Sequence, residues 1–273
     1  MRRKVTSREY KIMLNKERFI GSEDVLLDRA KQFWGLFKDA IEDRVRDTDK
    51  SLNKIKKRRT IRFYDTEDRR LRANSYAFRE RIDLSSGQRE VTLKFRHPDR
   101  YVAQDRNMDA TDRDEGETKF EEDIKPPFEK LYSFSTKQEI EDGKELNKLN
   151  DPGRLFPDFK KRLPGYRGGE RIVPVGGFTV TELVVTGADF EIRKKKPNRD
   201  AECALIVWYN ANGKANEPAV VEFSFRYGDK EEEYDGEAAQ RAFAVFGRLQ
   251  NLSEDWIDSE GPTKTAFIYS IID

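Results

Sequence analysis

The feature that most constrains this chain is a repeated alternation. In segment after segment, apolar side chains occupy every second position and charged ones many of those between. Successive side chains of a β-strand point to opposite faces. "SYAFRERI" (75–82) therefore opposes Tyr76, Phe78 and Ile82 to Arg79 and Arg81. "REVTLKFR" (89–96) opposes Val91, Leu93 and Phe95 to Lys94 and Arg96, and "KFEEDI" (119–124) opposes Phe120 and Ile124 to Lys119, Glu121 and Asp123. Glu9 shares a face with Lys11, Arg62 with Thr60 and Tyr64, and Glu222 with Ser224 and Arg226. Two arrangements satisfy this pattern. One is a sheet whose ionic face meets solvent. The other is a closed barrel with a charged interior and apolar outer faces. The second is tolerable only where the inward charges are paired or meet a ligand, because an unpaired buried charge costs several kcal/mol.

The spacing predicts strands over 4–14, 60–65, 75–82, 89–96, 119–124, 171–175, 178–185, 188–194, 202–209 and 219–227. "SSGQ" (85–88) and "YNANGK" (209–214) carry hairpin signals. A helix is expected over 22–45, where Ser22 is an N-cap and Leu26, Ala30, Phe33, Phe37 and Ile41 form a stripe. Another is expected over 236–250, and the apolar tail "PTKTAFIYSII" should dock on the body. The basic run "KIKKRR" (54–59) reads as a solvated segment. The fold class is α+β: an antiparallel barrel of eight or nine strands with flanking helices. It forms a single domain over 1–273, with insertions near 98–117 and 126–170.

Composition narrows the chemistry. The 53 basic and 52 acidic residues leave a net charge of +1, so this is not the broad basic surface of a general nucleic-acid binder. One cysteine, Cys203, excludes an internal disulfide, and its setting "ECALIVWY" reads as core. One histidine, His97, precedes a proline and reads as a turn residue, which leaves Ser-His and Cys-His nucleophilic catalysis without a base. Neither GxxxxGK[ST] nor GxGxxG occurs. No apolar run approaches the roughly 18 residues of a membrane span, and the N-terminus lacks a signal-peptide stretch. A cytoplasmic protein is expected.

Charges of both signs inside a barrel suit phosphate chemistry. Carboxylates from several strands can hold Mg²⁺ or Mn²⁺, and Arg and Lys can grip phosphate oxygens. Together they would form a phosphoryl-transfer site with no side-chain nucleophile.

At these residues the sequence resembles the CYTH, or triphosphate tunnel metalloenzyme, superfamily. The resemblance lies in "EYK" (9–11), "RFYDTEDRRL" (62–71), "FRER" (78–81), "VTLKFR" (91–96) and "KFEEDI" (119–124), in that order. It covers the first 124 residues and thins to Glu222 and Lys264 beyond. It implies an eight-stranded antiparallel tunnel that binds triphosphate groups with divalent metal. It also implies one of the activities inorganic, thiamine or RNA triphosphatase, or adenylate cyclase. Lys11, Arg62, Arg79, Arg81, Lys94 and Arg226 would contact phosphate, with Lys11, Arg79, Arg81 and Lys94 central to catalysis. Glu9, Glu121, Asp123 and Glu222 would hold Mg²⁺ or Mn²⁺. Two positions depart from the pattern: Ser7 stands where Glu-x-Glu-x-Lys begins, and Ser224 where a second late carboxylate is expected. The implied function is a metal-dependent hydrolase of a small-molecule triphosphate. The alternatives are a non-catalytic polyphosphate or nucleotide-binding module and an adenylate cyclase. The partner is a small triphosphate or polyphosphate, with no membrane and no nucleic acid.

Overall fold

The computed structural model describes residues 3–47, 50–111, 116–193, 199–214 and 216–270. Twelve strands lie among them: β1 (Ser7–Leu14), β2 (Arg46–Asp47), β3 (Lys54–Asp65), β4 (Tyr76–Asp83), β5 (Arg89–His97), β6 (Glu117–Lys125), β7 (Glu129–Glu139), β8 (Val173–Pro174), β9 (Val180–Thr186), β10 (Asp189–Arg193), β11 (Arg199–Asn210) and β12 (Pro218–Gly228). The helices are α1 (Glu23–Ile41), α2 (Arg70–Ala73), α3 (Arg100–Gln104), α4 (Asn150–Leu155), α5 (Phe159–Arg162), α6 (Gly236–Gln250) and α7 (Lys264–Ser270).

Nine strands close a ring in the order β12-β1-β6-β7-β5-β4-β3-β9-β11, and β11 pairs back onto β12. The expectation of a purely antiparallel barrel is corrected here. An odd number of strands cannot alternate in direction around a closed ring, so one neighbouring pair must run parallel. That pair is β1 and β6, joined over Ser7–Tyr10 and Glu121–Ile124.

A second correction concerns β7. "EKLYSFSTKQE" lies in the stretch read as a helical and loop-rich insertion, yet it is a full barrel strand between β6 and β5. Its inward positions Ser133 and Ser135 are small and polar, so the contrast between its faces is weak in sequence. The run 54–59 is likewise strand, part of β3 and paired with β9, not a free solvated segment.

The apolar faces of the ring point outward and are covered. On one side α1 and α6 bury Phe33, Phe37, Ala242 and Phe246 against Phe223 and Phe225. The Phe33 and Phe37 rings stand 5.0 and 5.2 Å from Phe223. On another side Leu155, Phe156 and Phe159 cover Phe78, Leu93, Phe95 and Phe134. Each such ring contributes about 1.5–3 kcal/mol of burial. Ser22 caps α1 by accepting from the Val25 amide at 3.5 Å, and Asp235 caps α6 from Ala238 at 2.8 Å. α1 ends at Ile41, short of the expected 45. With its apolar surface used outside, the barrel has its ionic residues left for the inside.

One end of the barrel is closed. Ile61, Phe63, Val180, Trp208 and Val220 pack with Ile268 and Tyr269 of α7 into an apolar floor. The tail therefore docks as expected. "RFYDTEDRRL" supplies the anchor: the Asp65 carboxylate accepts from the amides of Thr66 (2.8 Å), Leu71 (2.8 Å) and Arg72 (3.0 Å), and from the Tyr269 hydroxyl at 2.8 Å. One buried side chain fixes the turn, the start of α2 and the closing helix.

Candidate functional site

Above the floor lies a cavity of about 800 Å³ inside the ring. Strand alternation sends into it Glu9 and Lys11 from β1, Arg59 from β3, Arg79 and Arg81 from β4, and Glu90, Lys94 and Arg96 from β5. Glu121 from β6, Ser224 and Arg226 from β12, and Lys264 from α7 complete its main features. A smaller space of about 400 Å³ adjoins it, bordered by Asp123, Glu222, Trp208 and the 258–266 segment.

Many of these charges are paired. Lys11 Nζ lies 2.8 Å from Asp123 Oδ1 and 2.9 Å from Glu9 Oε2. Burial alone would lower Lys11, but Asp123, Glu9 and Glu222 hold it above the ordinary lysine range. Burial likewise acts to raise Asp123, and Lys11, Lys94 and Arg96 hold it well below the usual carboxylate range. Lys264 Nζ lies 2.7 Å from Glu222 Oε1. Arg81 reaches Glu90 at 3.4 Å, and Arg226 reaches Glu202 at 2.7 Å nearer the surface. Glu182 is paired with Arg59 and accepts from the Trp208 indole at 2.8 Å. Its carboxyl stays at about 2, because Arg81, Arg59 and Lys264 outweigh the effect of burial.

Two cations differ. Among the described residues, neither Arg79 nor Lys94 has a hydrogen-bond or ion-pair partner, and Arg79 Nε is buried without one. Burial, reinforced by Arg81 and Arg59, pushes Arg79 well below its ordinary value. Burial and Arg96 bring Lys94 down to about 7. Glu121 is the corresponding carboxylate, facing the cavity with no ion pair among the described residues.

Of the residues singled out in sequence, the structure brings Lys11, Arg79, Arg81, Lys94, Arg226, Glu9 and Glu121 into the cavity and Asp123 and Glu222 to its adjoining wall. Arg62 is a correction. It points outward, exposed, with Nε donating to Thr179 Oγ1 at 3.1 Å. The β3 positions that turn inward include Lys57, Arg59, Ile61 and Phe63. Arg59 was concealed in the basic run, though its spacing of two from Ile61 was the available signal. Glu182 was also missed; a lone carboxylate in the apolar run "VTELVV" was its trace.

The carboxylates were tested as a metal site by their surroundings. Among the described residues, no three of His, Cys, Asp and Glu group as metal ligands. Lys11 occupies the space between Glu9 and Asp123 and Lys264 caps Glu222, so this donor set does not fit a divalent cation.

No protein-family model matches the chain, and no curated protein sequence matches it. Solved structures with a similar arrangement include a candidate adenylyl cyclase from Hippeastrum described as having a dominant triphosphatase activity. It is 14% identical with a TM-score of 0.46, covering 97% of this chain and 96% of that one. A candidate adenylate cyclase from Bacillus halodurans is also 14% identical, with a TM-score of 0.39 over 91% and 92% of the two chains. One from Vibrio parahaemolyticus is 8% identical, with a TM-score of 0.35 over 97% and 99%.

Proposed function

We propose that the tunnel takes up the triphosphate group of a small molecule and cleaves its terminal anhydride with water. The observation that carries this reading is the pair Arg79 and Lys94. They are inward side chains on neighbouring strands, with no hydrogen bond or close ion pair among the described residues, facing a cavity of about 800 Å³; Asp123 and Glu121 act on Lys94, and Glu182 on Arg79, only through longer-range attraction. A cation held this way is costly until an anion arrives. A chain of phosphates supplies several anionic oxygens at once, and Arg79 and Arg81 offer planar forks to them.

Phosphoryl transfer asks the protein mainly for position and charge stabilisation. In this reading Arg79, Arg81 and Lys94 bind the terminal phosphoryl oxygens, while Lys11, Arg96 and Lys264 lie along the rest of the chain. Glu121 accepts a hydrogen bond from the attacking water. The water oxygen bonds to the terminal phosphorus and the bridging P–O bond breaks. Its electron pair leaves on the shortened polyphosphate, and the water proton passes to solvent. Tripolyphosphate would give pyrophosphate and orthophosphate.

A second reading, binding without turnover, is favoured by Lys11 bridging Glu9 and Asp123. Calorimetry and phosphate release with tripolyphosphate, ATP and thiamine triphosphate test both. Heat with phosphate release supports the hydrolase, heat alone supports the binding module, and no heat with any of the three removes the site.

A further inference from the structure

We infer that the tunnel binds its triphosphate without a divalent cation, its own ammonium groups standing where such a cation would sit. The inference rests on the triphosphate reading and adds to it the ionic form of the ligand.

Three observations carry it. First, the Glu9 and Asp123 carboxylates, cross-strand partners on β1 and β6, already share Lys11 at 2.9 and 2.8 Å. A divalent ion coordinated there would have to expel that ammonium or sit beside a like charge. Glu222 Oε1 is in ionic contact with Lys264 at 2.7 Å, without hydrogen-bond geometry.

Second, serine stands at the two places where further carboxylates would strengthen a cation site. Ser7 is directly opposite Glu121, and Ser224 is directly opposite Lys11. A hydroxyl contributes no charge to a hard cation, which depends on anionic oxygen ligands. Glu121 is left as a single carboxylate and not as half of a pair.

Third, the main cavity is lined by thirteen Lys and Arg side chains against six Asp and Glu, or nine when Asp123, Glu182 and Glu222, which pair with Lys11, Arg59 and Lys264, are included. A metal ion in a phosphate site neutralises ligand charge. This lining supplies that neutralisation from the protein, so a magnesium-bound ligand would bring less negative charge to a surplus of cations.

The test is calorimetric titration of tripolyphosphate into the full chain, in excess EDTA and again in excess Mg²⁺. The expected affinity in EDTA equals or exceeds that in Mg²⁺, within about threefold. Glu121→Gln supplies a second readout of opposite sign for the two possibilities. Removing a like charge from an anion site should tighten binding about threefold, whereas removing a ligand of a required cation would weaken it. Affinity at least about tenfold higher in Mg²⁺, or weakening by Glu121→Gln in Mg²⁺ alone, overturns the inference and leaves the triphosphate reading standing. Absence of heat in both buffers overturns the two together.

Discussion

The two walls of the tunnel treat charge differently. On the wall formed by β1, β6 and β12, Lys11 is shared by Glu9 and Asp123, and Glu222 is held by Lys264. On the wall formed by β4 and β5, Arg81 pairs with Glu90 at 3.4 Å and Arg96 lies 3.6 Å from Asp123, but Arg79 and Lys94 have no hydrogen bond or ion pair among the described residues. The first wall is neutralised from within, so it holds the barrel together and sets local geometry. The second leaves two of its basic side chains, Arg79 and Lys94, without an ion pair. The same residue types are thus ion-paired on one side and left without an ion pair on the other, depending on whether an opposite charge lies within reach; under the proposed function the second set would meet the phosphates.

The largest expected effect bears on the second wall. Arg79→Met should weaken tripolyphosphate binding by at least about 100-fold, the loss of about two charge-assisted contacts of 1.5–3 kcal/mol each. It should also raise the melting temperature of the free protein, by about 2–4 °C for each kcal/mol of relieved desolvation. A lower melting temperature with unchanged affinity would erase the contrast between the walls. Lys11→Met should do the reverse to stability, lowering it by about 2 kcal/mol because two carboxylates lose their shared cation. Denaturant unfolding compares the two variants, and equal signs would refute the division.

The next effect is a pH dependence. Lys94 sits at about 7 against an ordinary 10.5. The unfolded chain therefore binds this proton between about 7 and 10.5 while the free folded chain does not, so stability rises with pH across that window. A polyanion favours the protonated amine, and binding should take up a proton at pH 8. Calorimetry in buffers of different ionisation enthalpy reads this uptake, and Lys94→Met should abolish it. Tyr269→Phe removes the hydroxyl that Asp65 accepts and should cost about 1 kcal/mol of stability at the floor. Smallest of all, Arg62→Ala should change affinity and stability by less than about 0.5 kcal/mol, since its side chain is exposed outside the ring. A large loss of affinity in that variant would return Arg62 to the site.

Much of this site could be read before any coordinates. Alternation placed Arg79, Arg81, Lys94 and Glu121 on one side of their strands, because period two is a local property of extended backbone. It failed for β3, where Arg59 and not Arg62 turns inward. There both faces carry arginines and aromatic or aliphatic residues, so the pattern does not say which is inner. It also failed for β7, whose inward serines blur the contrast between faces. Glu182 escaped notice because its partner Arg59 is 123 residues away in sequence.

The sequence alone determined that many of the strands have one apolar and one ionic side, and that the ionic sides taken together carry both signs. It determined the positions of the two long helices, α1 and α6, through caps and apolar stripes, since those interactions span a few residues. Only the tertiary structure decided that the ionic sides face one another around a closed ring. It also decided that α7 stops one end, and which of the charges find partners. The pairing of β1 with β6 and β12, and ion pairs such as Lys11–Asp123 and Arg59–Glu182, join residues more than a hundred positions apart, and a single strand carries no record of what lies across the barrel.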